Sequence, residues 1–252
     1  MAVATRWSTV GPFRIHERLT VPFGADPLPL LCVHGLSVSE RHFRPLVDLL
    51  AREHDVFAPD LPGFGSSARP ARPLAVAQFA RFLADWLDVA GLPRAVVIAN
   101  SMGCQASVDL AVAKPDRVAG LVLVGPTVDP RARSLRSQTA RLVLDSLREP
   151  LRLDAVVLSD YARVGPRRTL RSARVMLAHR LEERLPLLRV PTLVVRDERD
   201  PIVPKEWAEE AAGLVPGGRL VVVPGAAHCA HFTHPEAVTR AIADFLASPG
   251  QV

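Results

Sequence analysis

Residues 95–104 read AVVIANSMGC, and this stretch decides the fold. Residues 95–99 are an unbroken apolar run, which predicts a strand buried on both faces, and residues 104–113 have the pattern of a helix. Asn100, Ser101, Met102 and Gly103 must therefore carry the chain from strand to helix in a very sharp turn. The apex of such a turn is strained, so the residues two before and two after it have to be small. Ala99 and Gly103 meet that demand in an A-x-S-x-G pattern, where alanine leaves nearly the clearance of the more usual glycine. The turn lifts the Ser101 hydroxyl above the sheet. It also aims the Met102 N–H, at a helix N-terminus, toward any oxyanion that develops there. Taken alone, a serine here is equally the N-cap of an ordinary helix.

Outward from this turn, further short apolar runs occupy residues 30–33, 56–58, 121–124, 192–195 and 220–223. Stretches with helical spacing lie between and after them, at 43–51, 76–90, 205–214 and 235–246. Strands apolar on both faces that alternate with helices predict an α/β protein with a doubly wound, mostly parallel sheet. Residues 6–10 and 13–17 fit an antiparallel hairpin at its edge. The rhythm breaks once. After 121–124 an arginine- and leucine-rich segment with helical spacing intervenes before strands resume at Thr192, which predicts a core domain of 1–126 and 190–252 with a helical lid inserted at 127–189. The inserted segment holds 14 Arg against seven acids, a net +7, while the remainder of the chain is −2. If those arginines face inward, they place a positive field over the site mouth.

Composition narrows the class. The 252 residues are 48% hydrophobic and 23% charged, enough for one compact unit that needs no disulfide or metal staple. Cys32, Cys104 and Cys229 are odd in number and lack C-x-x-C spacing, so reduced thiols are expected. No apolar run reaches the roughly 18 residues of a membrane span, and the start lacks the order of a signal peptide; a soluble, cytoplasmic protein is expected. The net charge of +5 is almost all arginine. With only 5% aromatic residues and no nucleic-acid module, it does not point to nucleic-acid binding.

A serine is a weak nucleophile until a histidine takes its proton and a carboxylate fixes that histidine's tautomer. Both partners are available beyond later strands. Asp197 and Asp200 follow the run at 192–195, and His228 follows the run at 220–223. Asp197 would lie at the very end of its strand, whereas Asp200 is three residues further out, before the turn-forming Pro201; Asp129, beyond the preceding strand, is the second choice after Asp200. The chain order Ser, Asp, His is that of a hydrolase on a doubly wound sheet. His34-Gly35 follows the run at 30–33, so that the next N–H, from Leu36, is placed as a second oxyanion donor. The segment 60–67, DLPGFGSS, is a tight Gly and Pro loop.

Together these motifs resemble the α/β-hydrolase family over nearly the whole chain. The residues that carry the resemblance are Val33-His34-Gly35, Asp60-x-Pro62-Gly63-Phe64-Gly65-x-Ser67, Asn100-Ser101-Met102-Gly103, Asp200-x-x-Val203-Pro204, and Gly225-x-x-His228 followed by His234-Pro235-Glu236. The resemblance implies Ser101 as nucleophile, Asp200 as orienting acid, His228 as base, Leu36 and Met102 as oxyanion donors, and a helical cap where the insertion falls. It implies no cofactor and no metal. Ser101 excludes the dehalogenase and epoxide-hydrolase chemistries, which need aspartate at that position. Cys229 stands where hydroxynitrile lyases carry lysine.

Other polar residues have simpler uses. His34 is expected to shape its loop through a hydrogen bond and Asp60 to buttress the one that follows it. Cys229 reads as a packing residue. His228, His231 and His234 form a sequence cluster, but spaced three and three without carboxylates they do not match a metal motif. The expected function is hydrolysis of a small-molecule carboxylic ester or related acyl compound, in a monomer or homodimer with no membrane partner. Two alternatives stand beside it: a carbon–carbon hydrolase that uses the same residues on a ring-fission keto acid, and a non-catalytic ligand-binding receptor on the same fold. Cys229 and Cys104 depart from the carbon–carbon hydrolase pattern and favour the ester. No substrate-binding residue is identifiable from sequence.

Overall fold

The computed structural model describes residues 2–24 and 28–248; the outermost ends of the expected core, Met1 and 249–252, lie outside them. Eight strands form one sheet in the order β1-β2-β4-β3-β5-β6-β7-β8. The strands are β1 (Ala2–Val10), β2 (Phe13–Val21), β3 (Leu30–Val33), β4 (Val56–Pro59), β5 (Ala95–Asn100), β6 (Val118–Val124), β7 (Thr192–Asp197) and β8 (Arg219–Val223). β3 to β8 are mutually parallel, and the β1–β2 hairpin, in register from Ala2 opposite Val21 to Val10 opposite Phe13, is antiparallel at the edge. The sheet is thus the doubly wound, mostly parallel one expected. β8 departs from expectation: its middle is partly exposed, with Val222 44% accessible, because it is the other edge strand and is covered less completely than the interior strands.

Alternation along the strands builds two cores. Leu31, Val33, Val97, Ala99, Leu121 and Leu123 join one cluster, with residues of α2 (Val76–Val89) and α3 (Met102–Ala113). Leu30, Cys32, Val96, Ile98, Val122 and Val124 join the other, with residues of α1 (Arg44–Leu50) and α10 (Pro235–Leu246). The chain leaves β3 through α1 on one face to reach β4, then crosses through α2 on the other face to β5, on the far side of β3. The winding direction therefore reverses between β3 and β5, and the carboxyl ends of those strands flank the crevice where ligands of such sheets bind.

Between β6 and β7 lie α4 (Leu135–Ser146), α5 (Leu151–Val164), α6 (Pro166–Ala178) and the short α7 (Leu181–Arg184). Few of their residues are buried, and several of those are polar: Asp145 in α4, Asp160 in α5 and Ser172 in α6. Asp160 accepts hydrogen bonds from Ser39 Oγ at 2.5 Å and Arg41 Nη1 at 3.1 Å, tying α5 to the loop after β3. α8 (Lys205–Leu214) and α9 (Ala230–Thr233) complete the chain.

Candidate active site

Ser101 joins β5 to α3 with φ 55° and ψ −122°, a left-handed conformation that is costly for a residue with a side chain. The surroundings enforce it. Its N–H donates to Val124 O at 3.1 Å and its carbonyl accepts the Cys104 N–H at 3.0 Å. A Cβ at position 103 would stand 2.4 Å from Val33 O and 2.7 Å from His34 O, so only glycine lets α3 start this close to β3. A Cβ on Gly35 would stand 3.1 Å from Ser101 Cβ, which presses the loop after β3 against the turn. Met102 opens α3, so its N–H has no partner within the helix.

His228, on the turn after β8, places Nδ1 2.6 Å from Asp200 Oδ2. The other Asp200 oxygen accepts the N–H groups of Ile202 at 2.6 Å and Val203 at 3.0 Å, which fixes the carboxylate plane. With Nδ1 donating to Asp200, Nε2 of the neutral ring is an acceptor, and among the described residues this buried atom meets no partner. Burial opposes protonation of His228, but the charge and hydrogen bond of Asp200 outweigh it and raise the imidazole above its ordinary range. The other acids are engaged elsewhere. Asp129 accepts from Arg131 N and from Arg141 Nη2, the latter at 2.9 Å. Asp197 accepts from Ala230 N at 3.1 Å, and its burial, with the neighbouring Asp200 charge, pushes its carboxyl well above the usual range.

Ser101, His228, Leu36, Gly35 and Asn100 all line one cavity of about 510 Å³. Its outer wall comes from α4, α5 and α6 through apolar side chains such as Leu142, Leu153, Val157 and Leu170. The condition for a positive field at the site is not met: among the described residues no Arg or Lys lines the cavity, and its ionisable residues besides His42 and His228 are Asp145, Glu149, Asp154, Tyr161 and Cys229. The arginines of the inserted segment turn to other partners. Arg131 reaches Glu210 at 2.6 Å, Arg141 reaches Asp129 and Ile202 O, and Arg184 reaches Asp109 at 2.9 Å.

Several residues of the site escape sequence reasoning. Asp145 Oδ1 accepts the backbone N–H of His228 at 3.0 Å, and Glu149 Oε1 accepts that of Cys229 at 2.9 Å. Burial raises Asp145 to about 6 and, with the charge of Asp145, raises Glu149 to about 7. Asn100 Nδ2 donates to Val124 O at 3.2 Å and, more weakly, to His228 O at 3.4 Å, joining the serine turn to the histidine turn. Gly125, with φ +56°, leaves the space that the His228–Asp200 pair occupies: a Cβ there would stand 2.9 Å from His228 Cε1 and 3.4 Å from Asp200 Oδ2.

His34 does shape its loop. Its Nε2 accepts the Leu61 N–H at 2.9 Å, which leaves Nδ1 protonated to donate to Gly35 O at 2.8 Å. Asp60 holds the loop after β4 by accepting the N–H groups of Glu40 at 2.7 Å and Ser66 at 2.8 Å, and a Cβ on Gly65 would collide with its carboxylate. The histidine cluster read from sequence is not one in space. His234 Nδ1 bonds Thr233 Oγ1, whereas His231 gathers with His42 and Cys229.

This architecture has many known counterparts. A pimeloyl-acyl-carrier-protein methyl ester esterase of Edwardsiella ictaluri is 29% identical over 88% of this chain and 94% of that protein. The 2-hydroxy-6-oxo-6-(2'-aminophenyl)hexa-2,4-dienoic acid hydrolase of Metapseudomonas resinovorans is 26% identical over 86% of this chain and 83% of its own length. The crystal structure of a thermophilic esterase from Thermogutta terrifontis superposes with a TM-score of 0.75 at 26% identity, covering 98% of both chains. Residues 30–241 match the alpha/beta hydrolase family as a whole, and the chain belongs to that family and is a hydrolase.

Proposed function

We propose that the chain is a serine hydrolase that cleaves a neutral small-molecule carboxylic ester, with 127–189 acting as a cap over the site. One observation carries the reading: a histidine oriented by Asp200 keeps an unpartnered Nε2 in the same cavity as a serine held at a strained strand-to-helix turn. In this reading His228 Nε2 takes the Ser101 proton as Oγ attacks the ester carbonyl. The carbonyl oxygen becomes an oxyanion that accepts from the Leu36 and Met102 N–H groups. His228 then hands the proton to the leaving alcohol, and water, activated by the same nitrogen, releases the acid from the acyl-Ser101 intermediate. Asp200 holds the imidazole orientation and stabilises its charged form.

The cavity wall supports a neutral substrate. A carboxylate entering it meets Asp145, Glu149 and Asp154 and, among the described residues, no lining Arg or Lys, so apart from the imidazole of His228 it finds no cationic partner for the hydration it loses. The likeness to a ring-fission product hydrolase keeps a keto-acid substrate as the second reading. The experiment is a fluorophosphonate labelling test followed by turnover of aryl esters of graded chain length and of ring-fission keto acids. Labelling of Ser101, and its loss together with turnover by several orders of magnitude in Ser101→Ala, is the expected result. Labelling at another residue, or activity that survives the substitution, overturns the assignment; an unlabelled, inactive protein that still binds ligands points to a receptor.

A further inference from the structure

His42 and His231 are almost completely shielded from solvent, at 3% and 0% exposure, yet none of their four ring nitrogens has a hydrogen-bond partner among the described residues. A neutral imidazole has one N–H donor and one lone pair, and burying both unpaired is unfavourable for either ring. The two rings come from different parts of the chain. His42 lies on the 3-10 turn Glu40–Phe43 after β3, and His231 lies on α9, where its ring packs against Phe43 at a centroid distance of 4.5 Å. Cys229 stands at the N-terminal end of α9, and the donor atoms of His42, Cys229 and His231 all fall within 4.8 Å of one another.

The imidazole lone pairs are free to bind a ligand. Burial holds both imidazoles well below the ordinary histidine range, so their lone pairs are not lost to protons. Burial and the Glu149 carboxylate push the Cys229 thiol up. The Glu149 carboxylate, which adds to burial in disfavouring a free thiolate, offers charge compensation to a metal ion, and a bound ion in turn draws the thiol proton off. Glu149 is fixed beside the cluster by its bond to the Cys229 N–H.

We propose that Cys229, His42 and His231 form a binding site for a borderline-soft divalent cation of the zinc class, and that the bound ion slows the hydrolase reaction. Two imidazole nitrogens and one thiolate are a ligand set suited to that class. Metal–ligand lengths of about 2.0–2.3 Å draw the three side chains together by about 1 Å. On ligation the thiol proton leaves to solvent, the metal–sulfur bond forms, and no redox change occurs. His42 and Cys229 both line the active-site cavity, so the fourth coordination position opens toward it and takes a water. Slowing rests on the serine-hydrolase reading: a cation next to His228 opposes the imidazolium that must form in the transition state. Binding does not rest on it.

The test is a titration of chelator-stripped, reduced protein with Co²⁺, followed by displacement with Zn²⁺. One equivalent should produce a near-ultraviolet thiolate-to-cobalt absorption band. Cys229→Ser should abolish it. His231→Phe keeps a ring against Phe43 and should weaken binding by at least the roughly 10–100-fold that loss of a mere supporting partner costs. Zn²⁺ should raise the melting temperature of the wild type and of neither variant, with the variants' own melting curves reporting that they fold. It should also slow ester turnover reversibly in the wild type and leave His231→Phe insensitive. Absence of the thiolate band at one equivalent, or an unchanged band and affinity in both variants, overturns the site. A band with turnover unaffected at saturating Zn²⁺ overturns the inhibition and leaves the site standing. If no substrate is ever turned over, the cobalt spectrum still decides the binding.

Discussion

Asp145 on α4 accepts its hydrogen bond from the backbone N–H of His228, so a buried residue of the inserted segment is bonded directly to the residue proposed as the base. The contact does two things at once. It anchors α4 onto the histidine turn, and it sets a carboxylate beside the imidazole, where its charge adds to that of Asp200 in raising His228.

Asp145→Asn separates these effects, because an amide oxygen still accepts from the His228 N–H while the charge is gone. Removing a negative charge near an imidazole disfavours the protonated form and lowers its pKa. The acid limb of the pH profile of kcat/KM should therefore move to lower pH with little change in the plateau. A limb that stays in place would mean that Asp145 is neutral over the pH range in which His228 titrates.

Asp200→Asn should act more severely and in the same direction on the limb, since Asp200 supplies the largest raising influence on His228. The amide also favours the wrong tautomer, which costs about 10⁴-fold in turnover in triads of this kind. Pre-steady-state acylation by a p-nitrophenyl ester measures the loss. Comparable damage from Asp129→Asn, with Asp200→Asn harmless, would transfer the role, although Asp129 is already bonded to Arg141.

How much of this was legible beforehand follows from where each residue sits. Ser101, Asp200 and His228 come after the apolar runs of β5, β7 and β8; the first two can be read because strands buried on both faces show no polar interruption, and the third because its residues 220–223 are apolar although it is an edge strand. Asp145 belongs to a helix with few buried positions, so no apolar stripe marks its inner face. Leu142 and Asp145 are three apart and share one face of α4, and Glu149 follows just beyond the end of the helix; all three line the cavity. An acid amid the apolar residues of 142–147 was the available signal. Gly125 gave none, since a glycine after a strand is ordinary until the side chains opposite it are known. Likewise His42 and His231 are far apart in sequence, and only the packing of α9 on the turn after β3 unites them.

Gly125→Ala tests the clearance of the His228–Asp200 pair. The methyl group would stand 2.9 Å from His228 Cε1, closer than real Cβ contacts come, so the ring has to move. A displacement on the order of 1 Å in such a site costs about 100-fold. Turnover and fluorophosphonate labelling should fall together by about that factor, while the far-ultraviolet circular dichroism stays unchanged. Full activity in this variant would show that the pair has another resting position.

Glu149→Gln probes stability. An acid whose pKa is about 7 when folded, against about 4.3 unfolded, binds its proton more tightly in the native state. Stability is then fully present below about pH 4 and is lost as pH rises through 7. The substitution removes this loss and leaves an oxygen to accept the Cys229 N–H. The melting temperature of Glu149→Gln should exceed that of the wild type at pH 8.5, and the difference should vanish near pH 4.5. A pH-independent difference would assign the effect to packing.

The charge of the inserted segment decides between substrates. Its excess of arginine would speed the capture of anions only if the field reached the cavity, and the cationic side chains are instead tied to Glu210, Asp129 and Asp109 or lie outside the lining. Apart from His42 and His228, the charged groups that line the cavity are the acids Asp145, Glu149 and Asp154, so attraction at long range would be opposed at contact. Long-range steering also weakens with salt, because the Debye length shrinks from about 30 Å at 0.01 M to about 8 Å at 0.15 M. The kcat/KM for a neutral aryl ester should exceed that for its carboxylate-bearing analogue and should change little between 10 and 150 mM salt (roughly the two ionic strengths just compared). A preference for the anion that collapses with salt, and that Arg141→Gln removes, would place a cation at the mouth of the site and put the keto-acid reading ahead of the ester.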